Sequence, residues 1–224
     1  MIGLGCMRMS TAADRDEERG IAVIRAALEA GATLLDSADA YCLDDRDVGH
    51  NERLIARALA GWTGDRGRIT VATKGGMRRP NGAWGSDGRA KHLRAACDAS
   101  RRALGVETID LYHLHAVDPK TPIETSVRAL ARLQEEEKIR DIGLCNVTVS
   151  QIRAAQAIVT IASVQVSLSP FDDENLRNGV AEYCHDNGIR LIAHRPLGGE
   201  RAKQLARDPV ISRIAEKRAV HNAD

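Results

Sequence analysis

The chain has 224 residues, 43% hydrophobic and 28% charged. That is an ordinary globular balance, with apolar surface enough for a real core, and it excludes a disordered tract. Lys plus Arg total 32 against 31 for Asp plus Glu, so no global basic field draws the chain to nucleic acid or to an acidic membrane surface, and the expected partner is a small molecule. The five cysteines, Cys6, Cys42, Cys97, Cys145 and Cys184, are scattered and contain no CxxC pair. This speaks against a disulfide framework or a zinc site and fits a reducing cytoplasm. No apolar run is long enough to cross a bilayer, and the opening MIGLGCMRMS lacks the plan of a signal peptide.

In chain order, short β-rich runs alternate with amphipathic helical stretches, the pattern of a parallel sheet covered by helices. Strands are predicted at residues 2–5, 33–36, 69–74, 109–115, 139–145, 163–167 and 190–194. Between them the apolar spacing becomes helical: Ile21, Ile24 and Leu28 in the first helix, Ile123, Val127 and Leu130 in the fourth, Leu176, Val180 and Tyr183 in the sixth. Thr121-Pro122-Ile123-Glu124 reads as a cap, a first-turn proline and a capping-box glutamate, and Thr148 with Gln151 repeats the box. Gly31, Gly105 and Gly188 stand just past helical runs, where a left-handed residue is wanted. Residues 75–88, GGMRRPNGAWGSDG, are too long for a routine turn and read as a functional loop. Asp208-Pro209 opens a last helix through Ile211, Ile214 and Ala215, and HNAD adds no apolar strand. A doubly wound open sheet would also satisfy the alternation, but no GxGxxG opens the first helix, so a single barrel domain over residues 1–224 is favoured.

In a parallel barrel the carboxyl ends of the strands converge on one mouth. Three predicted strands end in chemistry there: Asp36, with Tyr41 five residues on, Lys74, and His115. Each alone has a bland reading as a cap, a packing ring, a solvated cation or a satisfied imidazole. Their conjunction carries the argument. A lysine ending an apolar strand inside a barrel must find a partner or lose its charge, and Asp36 is the natural one. Reduction of a carbonyl needs a proton for the developing alkoxide, and a phenol of ordinary pKa ~10 is a poor donor. A cation ~4 Å away in an effective dielectric of ~20 contributes ~4 kcal/mol, so Lys74 is expected to lower the Tyr41 pKa toward neutrality. His115 would hydrogen-bond the substrate oxygen, and the hydride must come from a cofactor. Trp84, with Met77 and Arg78 in the glycine-rich loop, would either wall the substrate pocket or simply cover the surface. His113, on the same strand face as His115, reads as barrel filling or support.

Asp36, Tyr41, Lys74 and His115, in that order on successive strands, resemble the catalytic tetrad of the aldo-keto reductases. The run GLCN, residues 143–146, is similar to that family's GxSN motif, and VQVSLSP carries Gln165 where the family binds the nicotinamide carboxamide. The resemblance implies that Asn146 and Gln165 hold the carboxamide, with Cys145 where a serine is usual. It implies that His194 stands in place of the stacking aromatic, and that the loop Arg195, Pro196, Leu197, Gly198 and Gly199 passes the cofactor pyrophosphate. The implied cofactor is NADP(H), with NAD(H) as the alternative, and the implied substrate is an aldehyde or ketone.

The resemblance also implies an eighth strand and helix that this sequence does not reach, a segment that in the family contacts the adenosine and its 2′-phosphate. The expected fold is therefore a (β/α)8-type barrel short of its eighth β/α unit, whose first and seventh strands would be unpaired edges that a homo-oligomer would cover. Two readings stand at this point. One is an active reductase, supported by the intact tetrad; the other is a non-catalytic cofactor-sensing or structural subunit, supported by the missing repeat.

Overall fold

The computed structural model describes residues 2–205 and 207–218; HNAD lies outside the described residues. The first elements are β1 (Gly3–Gly5), α1 (Arg8–Thr11), α2 (Glu17–Glu29), β2 (Leu34–Asp36), α3 (His50–Ala60) and β3 (Thr70–Gly75). A short hairpin follows, β4 (Met77–Arg78) and β5 (Gly85–Ser86), then α4 (Ala90–Leu104), β6 (Ile109–Leu114), α5 (Ile123–Glu135), β7 (Ile139–Cys145) and α6 (Val149–Gln156). The remainder is β8 (Ser163–Ser167), α7 (Glu174–Arg177), α8 (Val180–Asp186), β9 (Arg190–His194), α9 (Ala202–Leu205) and α10 (Pro209–Arg218).

The seven predicted strands are all present, in sheet order β1-β2-β3-β6-β7-β8-β9. The pairs β1–β2, β2–β3, β3–β6 and β6–β7 are parallel. This is the α/β fold of (β/α)8-barrel type with seven of its eight strand–helix repeats. The chain divides into two compact units, Met1–Val164 and Gln165–Asp224, which are described separately below.

In the first unit, register decides which side chains share a face. Asp36 pairs with Ala72, Lys74 with His113, and His113 with Gly143. Because strand side chains alternate, Asp36, Lys74, His113 and Cys145 fall on one side of the sheet. Leu35, Val71, Tyr112, Ile142 and Leu144 fall on the other and are buried. Helix α2, the first predicted from the sequence, buries its stripe of Ile21, Ile24 and Leu28 and is capped by Asp16, whose carboxylate accepts from the Arg19 N–H at 3.0 Å. Thr148 and Gln151 form the reciprocal capping box.

Three expectations need correction. Thr121 does not cap α5: its hydroxyl donates to Asp118 at 2.7 Å, and the helix starts after Pro122 without a side-chain cap. The sixth predicted helix is broken. Gly179 adopts φ 81° between α7 and α8, which turns Leu176 into solvent at 55% exposure while Val180 stays buried. The loop 75–88 is not irregular throughout, since Met77 and Arg78 pair antiparallel with Ser86 and Gly85. In the second unit, Asp208 accepts from the N–H groups of Val210 and Ile211 and so starts α10 at the expected place.

Candidate active site

The site in the first unit grows from backbone geometry after β2. The chain continues alongside β3, with Ser37 N–H donating to Ala72 O at 2.8 Å and Asp39 N–H to Lys74 O at 3.1 Å. A turn closed by Tyr41 N–H to Ala38 O then folds the phenol back over Lys74. The Lys74 side chain is fully buried, and its ammonium donates to Asp36 at 2.9 Å, to the Ser37 carbonyl at 2.7 Å and to Tyr41 Oη at 3.1 Å. All three donor positions of the ammonium are thus used, and two orient it toward the third. The Ser37 carbonyl was not anticipated; no side-chain pattern announces a backbone acceptor.

His115 completes the group. Its N–H donates to Gly75 O at 2.9 Å, and its ring stands edge-on to Tyr41 with centroids 5.5 Å apart. Asp36, Tyr41, Lys74 and His115 are therefore gathered at adjacent strand ends. Trp84 reaches the same place, 6.4 Å from the His115 ring, while its other contact is the Arg79 guanidinium stacked 4.1 Å from its centroid. Trp84 is about half exposed, so it both borders the group and covers the surface. Met77 and Arg78 lie in the hairpin, paired with Ser86 and Gly85.

Electrostatics decides the protonation states. Burial works against the Lys74 charge, but Asp36 and then Tyr41 overcome it and raise its pKa, so the ammonium persists. Tyr41 departs from expectation. Its pKa is raised, not lowered: burial is the largest influence, and the pull of Lys74 in the other direction does not offset it. The phenol is only 7% exposed, and its desolvation outweighs the cation effect of ~4 kcal/mol rather than merely trimming it. Tyr41 therefore stays protonated at neutral pH.

His113 is buried behind the group and bonds Ser163 Oγ at 3.0 Å through Nε2. Burial, and after it the Lys74 charge, hold its pKa down to about 4, so it is a neutral imidazole filling the interior. Its ring fits because position 143 is glycine: a Cβ there would lie 2.3 Å from His113 Cδ2. Next along β7, Cys145 is buried with its thiol pushed up to about 12, and it is no source of thiolate. Asn146 is exposed in a left-handed conformation, φ 54°, with its amide directed at the His115 carbonyl at 3.5 Å.

In the second unit, Gln165 on β8 is buried and His194 ends β9. The loop Arg195, Pro196, Leu197, Gly198 and Gly199 makes a tight turn in which Gly198 N–H donates to Arg195 O at 2.7 Å. Gly198 and Gly199 have φ of 80° and 62°, and a Cβ at 198 would strike Phe171 at 2.3 Å.

A carboxylate-held ammonium thus lies against a phenol, with an imidazole alongside, at the strand ends of an α/β barrel. A model of the aldo/keto reductase family matches residues 1–218, and the chain belongs to that family. Among solved structures it is similar to a glycerol dehydrogenase of Gluconobacter oxydans, with 27% identity over 99% of this chain and 76% of that one and a TM-score of 0.82. It is also similar to an aldo-keto reductase of Bacillus halodurans in its holo form, with 28% identity over 93% and 65% of the two chains and a TM-score of 0.76. An aldo-keto reductase from a Medee basin deep-sea metagenome library matches at 26% identity over 98% and 72%, with a TM-score of 0.77.

Proposed function

We propose that the protein is a nicotinamide-dependent reductase of small aldehydes or ketones, with NADP(H) as the cofactor and Tyr41 as the proton donor. The observation that carries this reading is the Lys74 ammonium, held by Asp36 and Ser37 and bonded to Tyr41 Oη at 3.1 Å. When bound, the nicotinamide supplies the hydride. The residues of this chain do the rest. His115 hydrogen-bonds the carbonyl oxygen and orients it, Tyr41 Oη gives its proton to that oxygen as negative charge develops, and Lys74 stabilises the resulting phenolate. Asp36 keeps the ammonium in place, and Trp84 borders the substrate.

The cofactor residues are carried over from the family. Asn146 and Gln165 would hold the carboxamide, Cys145 would contribute weakly where a serine is usual, and His194 would stack on the ring. Arg195, Pro196, Leu197, Gly198 and Gly199 would pass the pyrophosphate. The chain's own features fit that assignment: the Asn146 amide is exposed at a strand end, and Gly198 and Gly199 offer backbone without a Cβ for close approach of an anionic group. The holo form of the Bacillus halodurans relative supports a cofactor as well.

The test is a fluorescence titration with NADPH followed by its carbonyl-dependent oxidation across a panel of aldehydes and ketones. Saturable binding and a carbonyl-dependent rate are expected. Absence of NADPH and NADH binding would overturn the reading in favour of a non-catalytic subunit.

A further inference from the structure

A cavity of about 530 Å³ opens in the first unit between the β4–β5 hairpin, the start of α4 and the loop before α3, and none of Asp36, Tyr41, Lys74 or His115 lines it. Its size lies within the ~300–1,000 Å³ usual for small-molecule sites. Arg78, Arg79, Arg89 and Lys91 bring four cations to its wall. Of the carboxylates there, Asp87 is taken up by Arg89 in a two-pronged pair, at 2.8 and 2.6 Å. Asp39 is buried, and its pKa stands well above the ordinary value because of that burial and then of Glu52. Asp45 is exposed at the rim. The balance on the wall is positive.

Three lining side chains also carry unused hydrogen-bonding capacity. Arg79 Nε, His92 Nε2 and Asp39 Oδ1 are each buried without a hydrogen-bond partner. A buried polar atom left unsatisfied costs about 1–3 kcal/mol, and these three belong to residues of one wall, just beneath its surface. Ala40, Val48, Met77 and Ala95 give the cavity an apolar side. The matching ligand is a short apolar body ending in an oxyanion.

We propose that this cavity is a second binding site, separate from the reductase site, for a small organic anion bearing a phosphate or carboxylate. Arg78 and Lys91 supply charge at the entrance, and Arg79 with His92 meets the oxyanion.

Calorimetric titration of the full chain with phenyl phosphate, benzoate and inorganic phosphate tests the proposal. Saturable binding of one organic anion, at least about tenfold tighter than inorganic phosphate, is expected; which of the two binds identifies the oxyanion. Both Arg78 and Lys91 are exposed, so the double variant Arg78→Ala/Lys91→Ala should keep the wild-type melting profile while weakening binding about tenfold or more. Arg78→Lys should weaken it less. Absence of binding by either organic anion, or binding that the double variant leaves unchanged, overturns the proposal.

Discussion

Replacing Lys74 by methionine tests how much of the site's architecture hangs on one buried cation. The ammonium is fully buried and makes three hydrogen bonds, one of them to a carboxylate whose side chain keeps 13% exposure. Methionine preserves the length and removes the charge. Breaking a buried pair by deleting one partner costs about 3–5 kcal/mol, and the residual exposure of Asp36 points to the lower end, about 3 kcal/mol. At about 2–4 °C per kcal/mol for a chain of this size, the melting temperature should fall by roughly 6–12 °C. Urea denaturation followed by far-ultraviolet circular dichroism measures the loss directly, provided the slope with urea is unchanged. The double variant Lys74→Met/Asp36→Leu removes the stranded carboxylate and should recover about 2 kcal/mol of it. A single variant within about 1 kcal/mol of the wild type, or a double variant no better than the single, would refute the claim that Asp36 and Lys74 are a coupled buried pair.

Other consequences can be measured. His113 has a pKa of about 4 against an ordinary 6.5, so between those values the unfolded chain binds more protons than the folded one. The stability it leaves intact is complete above pH 6.5 and is lost as pH falls toward 4, by about 3 kcal/mol at ~1.36 kcal/mol per pH unit. His113→Gln should flatten the stability curve over that range by this amount, and parallel curves would contradict the assignment. Gly143→Ala places a methyl 2.3 Å from the His113 ring and 2.7 Å from Ser163 Oγ. It should cost about 2 kcal/mol in a denaturant melt, with partial recovery in Gly143→Ala/His113→Ala; a neutral single variant would show that the interior is looser than described. Because burial keeps Tyr41 protonated, carbonyl reduction should not slow between about pH 6 and 9, whereas a fall centred near neutrality would restore the lowered-pKa reading.

The sequence was most legible where periodicity and punctuation agreed. β7, β8 and β9 occupy the residues expected of them, because each is a β-rich run bounded by turn or capping residues. Asp36, Tyr41, Lys74 and His115 could be grouped in advance because the parallel sheet aligns its strand ends, and the register of Asp36, Ala72 and Lys74 supplies that alignment. The hairpin in the glycine-rich loop was not legible, since two residues per strand are too few to show alternation. The break at Gly179 was hidden by an apolar spacing that would have suited one continuous helix. Lys74's bond to the Ser37 carbonyl and the glycine that makes room for His113 depend on contacts distant in sequence. The direction of the Tyr41 shift was missed because it turns on the degree of burial, which a sequence of residues does not express.

The most direct test of the account is single-turnover kinetics of Tyr41→Phe with NADPH and an aldehyde accepted by the wild type. The phenylalanine keeps the ring beside His115 and removes only the hydroxyl that Lys74 contacts. The account predicts NADPH affinity within about twofold of the wild type and hydride transfer slowed by about 10²-fold or more. Hydride transfer at the wild-type rate would show that the proton comes from elsewhere.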